Sequence, residues 1–523
     1  MSSTSFPFLP VLVALPLVGA IATAFIPKTK PQLAKVVALA ISVVVLGITV
    51  AAVIAFDTNG DRLQLAESYK WIPQWGLRFS FAVDGIALVM VALSALLVPI
   101  VILASWKDAD DDGSGGRRNV PTFFALMLAL EATMIGVFAA SDVLLFYIFF
   151  EVMLVPMYFL IGSYGGPRRQ YAAVKFFLYS LVGGMLMLAA VIGLWVTAKN
   201  GLGHATFDWQ EIVNLAKNGG IPGDLQKWLF LGFFAAFAIK APFFPFHTWL
   251  PDAGGAAPAG AAALLVGVLD KVGTYGILRY CLPIFPEASK YFATLAIVLS
   301  LVGVLYGALL AVGQTDLKRL VAYTSISHFG FIGIGIFAFS SQAVTGSVLY
   351  MVNHGLATGL LFIVVGFLVR RRGSQSISDF GGAGKLMPLM AGVFLIAGLA
   401  SLALPGTSPF VSEFLVLIGT FSVNKTVAIL AALGMVLAAA YILWMFQRTM
   451  QGTLNPALKD VAPMKKDLSV REKVVVAPLI VLIIALGVYP KPVLDMIEPA
   501  VKATIQDVGK SDPVPTAADG AQK

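Results

Sequence analysis

The 523 residues are 58% hydrophobic and only 12% Asp, Glu, Lys or Arg, about half the charged share of an average soluble protein; the mean hydropathy of +0.87 leaves little room for a soluble domain. The single cysteine, Cys281, excludes an intramolecular disulfide, a four-cysteine iron–sulfur cluster and a cysteine-rich zinc site in this chain. The net charge of +8 is spread over short loops rather than gathered into one patch, which argues against nucleic acid and fits the positive-inside bias of membrane proteins.

A bilayer core about 30 Å thick needs roughly 20 apolar residues per helix, and by that criterion about 14 spans are expected. In chain order they are 6–26, 33–56, 83–106, 120–140, 142–164, 170–198, 227–247, 259–282, 290–313, 317–339, 343–368, 386–421, 425–449 and 473–494. The glycines lie inside these apolar runs, where they permit close helix packing, and not in a strand-to-helix nucleotide fingerprint. Loops on one side then carry Lys28, Lys30, Lys35, Arg117, Arg118, Arg168, Arg169, Lys318, Arg319, Arg370, Arg371, Arg372, Lys465, Lys466, Arg471 and Lys473. That side is expected to be cytoplasmic, which puts both termini outside. The insertions 107–119 and 452–473 read as connectors on the membrane surface, the second with the alternative of lying along a neighbouring subunit. The tail after Lys510 has a disordered composition.

Two spans are broken by proline. The seventh carries Pro242 and Pro245 beside Lys240, and the twelfth carries Pro405 and Pro409 shortly before Glu413. Proline removes a donor and frees carbonyls, so a broken membrane helix lines a polar cavity rather than lipid. Corresponding breaks in two halves point to an internal repeat with an ion path between its units. The alternative is two unrelated kinks.

Charges inside spans cost about 2.5–3.5 kcal/mol each on insertion scales, so each needs a partner, water or a role. The candidates are Glu131, Glu151, Lys175, Lys240, Lys271 with its neighbour Asp270, Arg279, His328, His354 and Glu413. Glu151 and Lys240 both stand in wholly apolar sequence and are the natural pair, either opening and closing around a proton or fixed as a static bridge. Whether Glu151 is close to Lys240 or turned away sets whether the amine holds its proton. Asp270 projects about 100° away from Lys271 around the helix and need not pair with it. His328 and His354, with reference pKa values near 6.5, suit proton relay as well as ordinary hydrogen bonding. Glu413 has no cation within a helical turn and mirrors Lys240. Glu131 and Lys175 read equally as helix tethers or functional charges, Arg279 reads more as a tether, and His247 either caps the broken helix or passes protons at its mouth. No spacing on one helix suits a metal site.

The run Lys240-Ala241-Pro242-Phe243-Phe244-Pro245-Phe246-His247-Thr248-Trp249-Leu250-Pro251-Asp252-Ala253, together with Lys271-Val272-Gly273-Thr274-Tyr275-Gly276, Phe149-Phe150-Glu151-Val152-Met153-Leu154-Val155-Pro156 and Asp316-Leu317-Lys318-Arg319, resembles the antiporter-like membrane subunits of respiratory complex I. Glu413 places the resemblance in the M-type branch, the counterpart of mitochondrial subunit 4, because the L and N types and the multisubunit sodium/proton antiporters carry lysine there. The resemblance implies an all-α fold of 14 helices with two inverted five-helix repeats. It divides the chain into N-terminal helices (1–119), a first half-channel (120–282), a second (290–450), and a connector, last helix and tail (451–523). It implies that Glu151 and Lys240 form the first-half ion pair, Lys271 the central bridge, His328 and His354 the relays, and Glu413 the terminal carboxylate, with Lys175, Glu131, His247, Pro242 and Pro409 in support. The setting it implies is a bacterial inner membrane, beside L and N neighbours and lipid. No cofactor is expected in this chain; FMN, iron–sulfur clusters and quinone belong to partner subunits. The alternatives are a cation/proton antiporter subunit and a passive scaffold. Two departures stand out. Gly254-Gly255-Ala256 replaces polar residues usual after Asp252, which suggests a wetter or more mobile cytosolic mouth, and Asp270 replaces an apolar residue.

Overall fold

The computed structural model describes residues 6–110 and 119–512; Arg117, Arg118 and the expected disordered tail from residue 513 lie outside them. Ten helices among the described residues are long and apolar enough to cross a bilayer, and Val470–Val488 with Lys491–Val508 passes the same test as a pair bent by 69°. The shorter apolar helix Phe8–Ala24 takes the first expected position, Gly223–Lys240 the seventh, and Pro388–Ser401 with Ser408–Phe421 the twelfth. Their burial sorts them into layers. Ala259–Ile284 is buried along its whole apolar window, whereas Pro31–Ala55, Arg169–Leu202, Pro286–Val312 and Lys425–Met450 keep most of theirs on the outside. Helices that are apolar on their exposed faces as well belong in lipid or against other subunits.

Both proline breaks are real. The seventh span divides into Gly223–Lys240 and Trp249–Ala256, and the twelfth into Pro388–Ser401 and Ser408–Phe421. In each group of five consecutive spans, from Val120 and from Pro286, the fourth is the broken one. Backbone at membrane depth must find its hydrogen bonds within the protein, and carbonyls around the breaks do so: Phe243 N donates to Ala238 O, which Pro242 leaves free, at 2.9 Å, Trp249 Nε1 to Ile239 O at 2.8 Å, and Asn353 Nδ2 to Ser408 O at 2.7 Å. Pro409 lies in the first turn of Ser408–Phe421, where its missing N–H costs nothing.

Three features depart from what the sequence led us to expect. Residues expected as a loop pair as an antiparallel hairpin, β1 Gln64–Ile72 with β2 Leu77–Val83, turned at Pro73–Trp75 and a left-handed Gly76. A search for 20-residue apolar runs passes over strands of nine and seven residues. Beyond the last expected span, which ends at 494, the chain continues as the helix Lys491–Val508, burying Ile497, Ala500, Val501, Thr504, Ile505 and Val508 at helical spacing. The connector 452–473 docks on its own chain. Asp467 accepts the N–H groups of Leu389 and Met390 at 2.8 and 2.9 Å, and Arg371 clamps Glu472 at 2.9 and 2.7 Å.

The basic loops converge at one end, where Lys35 meets Asp110 at 2.6 Å and Arg370 meets Asp108 at 3.2 Å. The hairpin region, the surface helix Trp209–Lys217 and the C-terminal helix meet at the other end. There Asp507 is held by Arg62 at 2.6 Å and Lys217 at 2.7 Å.

Candidate functional site: a buried row from Asp270 to Glu413

The centre of the row is Lys271. Its helix is widened by π turns at Leu265–Leu269 and Ile277–Cys281, on either side of the lysine. Such turns frequently mark functional positions. The amine folds back along its own helix to the Val266 carbonyl, reaches Asp270 Oδ1 at 3.1 Å and meets His354 Nδ1 at 2.6 Å. All three side chains are buried. The expectation that Asp270 and Lys271 point apart is therefore corrected: the long side chain doubles back within a loosened turn and brings Nζ to the carboxylate.

From His354 the row crosses to neighbouring helices. Its ring lies 5.2 Å from that of His328, edge to face, and His328 lies 5.8 Å from the Tyr350 ring. Tyr350 donates from its hydroxyl to Glu413 Oε2 at 2.9 Å. Glu413 thus has a phenol, not a cation, as its direct partner. Asn353, on the His354 helix, ties the same region to the second break through Ser408 O at 2.7 Å and Ser412 Oγ at 3.2 Å. Leu317–Phe337 supplies His328, Ser341–Arg372 supplies Tyr350 and His354, and Ser408–Phe421 supplies Glu413.

The first half is arranged differently. Lys240, the last residue before its break, is fully buried with no hydrogen-bond partner on Nζ, and sits over the rings of Phe150 at 4.7 Å and Phe176 at 5.7 Å. Aromatic faces are weak partners for an ammonium compared with a carboxylate. Glu151 is not within the 4.0 Å that closes an ion pair, and its Oε1 is also unpartnered. The expected pair stands open. Gly184 makes room for the carboxylate, since a Cβ there would overlap Glu151 Oε1. Pro156 withholds the N–H that would have bonded Val152, and the helix is interrupted at Met153, beside Glu151.

The supporting residues divide. Lys175 pairs with Asp252 at 2.7 Å and Asp252 with Arg319 at 2.5 Å, so Lys175 and the second half share one carboxylate at the start of the broken segment. Arg279 is a tether, to Asp84 at 2.9 Å, with its guanidinium 3.8 Å from the Trp209 ring. Glu131 is fully buried with neither oxygen partnered, so it tethers nothing by hydrogen bonding among the described residues. His247 is buried against Phe244 and Tyr306, and the segment it precedes has no side-chain cap. At the mouth near Gly254, Lys318 donates to the Ala257 carbonyl at 2.8 Å and the Gly255 carbonyl at 3.4 Å. Beside it lies a cavity of about 670 Å³ lined in part by Arg168, Asp252, Gly255, Asp316 and Arg319. Tyr350, Asp252 and Asp84 were not among the charges expected inside spans: Tyr350 is uncharged, Asp252 lies between the expected spans 227–247 and 259–282, and Asp84 falls at a helix start.

Broken helices around a buried row of ionisable side chains define the antiporter-like class of polytopic membrane subunits. Residues 140–438 match the family described as "NADH:quinone oxidoreductase/Mrp antiporter, TM". NADH-quinone oxidoreductase subunit M of Mycobacterium tuberculosis is 47% identical, over 98% of this chain and 96% of its own length. Subunit M of Rhodobacter capsulatus is 40% identical over 91% of each chain. A chain of respiratory complex I from Thermus thermophilus with bound NADH superposes with a TM-score of 0.84 at 30% identity, covering 96% of this chain and 100% of that one. A chain of the Mrp complex from a Dietzia species shares the fold, with a TM-score of 0.84 at 21% identity over 97% and 100%. The chain belongs to the subunit M family of NADH-quinone oxidoreductase, the membrane subunits of an enzyme complex.

Proposed function

We propose that the chain translocates protons through Glu151, Lys240, Lys271, His354, His328 and Glu413, driven by quinone reduction elsewhere in the complex. The observation that carries this reading is the buried succession from Lys271 through His354, His328 and Tyr350 to Glu413, which links the middle of the protein to the second helix break. Buried ionisable groups in a membrane are expensive, and a row of them reaching from one helix to the next is what a proton path needs. The open Glu151–Lys240 pair fits a first half whose amine gains or loses its counter-charge as Glu151 moves. Two inverted five-helix half-channels, each with its break in the fourth span, account for the placement of Lys240 and Glu413.

In this reading the Arg-rich end faces the cytoplasm of a bacterial cell, and both termini lie outside. L and N subunits and lipid cover the apolar outer faces, and the partner subunits hold FMN, iron–sulfur clusters and quinone. Lys240→Ala or Glu413→Ala is expected to remove most proton translocation from the reconstituted complex; full translocation by either variant overturns the assignment. The alternative of a cation/proton antiporter is supported by the shared Mrp fold. It is weighed against the glutamate at 413, and co-purification with flavin and iron–sulfur proteins decides between them.

A further inference from the structure

Asp270 is buried in the central cluster, yet the path above gives it no task. One oxygen, Oδ1, meets the Lys271 amine at 3.1 Å, while Oδ2 has no partner and the side chain is wholly inaccessible. Burying a carboxylate oxygen without a donor is costly, and protonation of Oδ2 relieves that cost. Its position on the helix gives the second observation. Gly273, three residues on and near the same face, packs directly against the Phe237 carbonyl and the Ala241 N–H, so this face looks toward the end of the Lys240 helix. The Lys271 amine is turned to the His354 ring. Asp270 thus lies one turn from that contact with the Lys240 helix and directly against the central lysine.

We propose that Asp270 is a proton-relay residue that receives protons from the Lys240 side on its free oxygen and thereby makes Lys271 release its own proton to His354. The proposal rests on the proton-path reading. An incoming proton bonds Oδ2 and turns the carboxylate into the neutral acid. The ammonium then lacks its counter-charge, an N–H bond of Lys271 breaks, the electron pair stays on Nζ and the proton joins Nδ1 of His354. The acid next gives its proton to the amine, which restores carboxylate and ammonium. One proton has arrived at Asp270, one has left on His354, and no electron transfer or co-reactant is involved.

The test uses the assembled NADH-quinone oxidoreductase in sealed vesicles, with NADH oxidation by an artificial acceptor counting assembled enzyme. Asp270→Asn, which keeps the volume and removes the titratable proton, should slow quinone-linked proton translocation by roughly a hundredfold, in the range of a positioned proton-transfer group. Asp270→Glu should restore it. Infrared difference spectra should show a carboxylic-acid C=O band on turnover that is absent in Asp270→Asn and shifted in Asp270→Glu, a signature that a structural role would not produce. If Asp270→Asn fails to assemble, the band in Asp270→Glu decides: a shift supports the relay, and an unshifted band overturns it. Normal translocation by Asp270→Asn with loss in Lys271→Ala overturns the relay alone, while normal translocation by Lys271→Ala overturns the path reading itself and the relay with it.

Discussion

Replacing Tyr350 with phenylalanine removes one oxygen and nothing else from the end of the row. The hydroxyl donates to Glu413 Oε2 at 2.9 Å, and both side chains are buried. A hydrogen bond to a charged group contributes about 1.5–3 kcal/mol, so if protons pass by this link the variant should translocate about ten- to a hundredfold more slowly. The assay is the initial rate of acidification of inverted vesicles on NADH addition, normalised to assembled complex. Tyr441 supplies the control. It is equally buried and close enough to Glu413 to feel its charge, but its hydroxyl makes no hydrogen bond, so Tyr441→Phe should slow the rate far less. A Tyr350→Phe enzyme as fast as the Tyr441→Phe control would refute the reasoning, because the row would then end before Glu413.

Gly184→Ala should impair translocation as much as Glu151→Gln, since its methyl group takes the space of the Glu151 carboxylate; Gly392→Ala, where nothing lies within 4 Å, should be silent in the same vesicle assay. Arg279→Leu should lower the yield of assembled complex, because it strands the buried Asp84 at a cost of about 3–5 kcal/mol. Adding Asp84→Asn should recover part of that yield, and no recovery would count against the tether. Reporter fusions at Asp57, near the hairpin, and at Gly373, beside the basic cavity, should report outside and inside respectively; the reverse pattern contradicts the proposed orientation.

Much of the row was visible in the sequence because membrane apolarity makes each charge conspicuous. Lys240 and Glu413 also lay beside prolines that announce a break, so their position in the fold could be stated from one chain. What escaped depended on side-chain reach between helices. Asp270 and Lys271 were expected to diverge from their 100° offset, but a lysine is long enough to fold back past one turn, and the flanking π turns alter the spacing on which that offset rests. Tyr350 is indistinguishable in sequence from the chain's other tyrosines until Glu413 is seen opposite it. Asp84 sits where an aspartate at a helix start is read as a cap, and it does accept the Ala87 N–H at 2.9 Å, while Asp252 lies between the expected spans 227–247 and 259–282. The hairpin and the C-terminal helix were missed because both are shorter or more polar than a spanning segment, while their burial against the rest of the chain is a tertiary property.

The most direct test of the central claim is the number of protons moved per NADH oxidised by reconstituted complex carrying Lys271→Ala, with assembled enzyme held equal. If the row through Lys271 carries protons, that number falls below the wild-type value, or quinone-linked turnover fails with it. An unchanged number at unchanged turnover would contradict the account, and would leave the buried charges as helix fastenings alone.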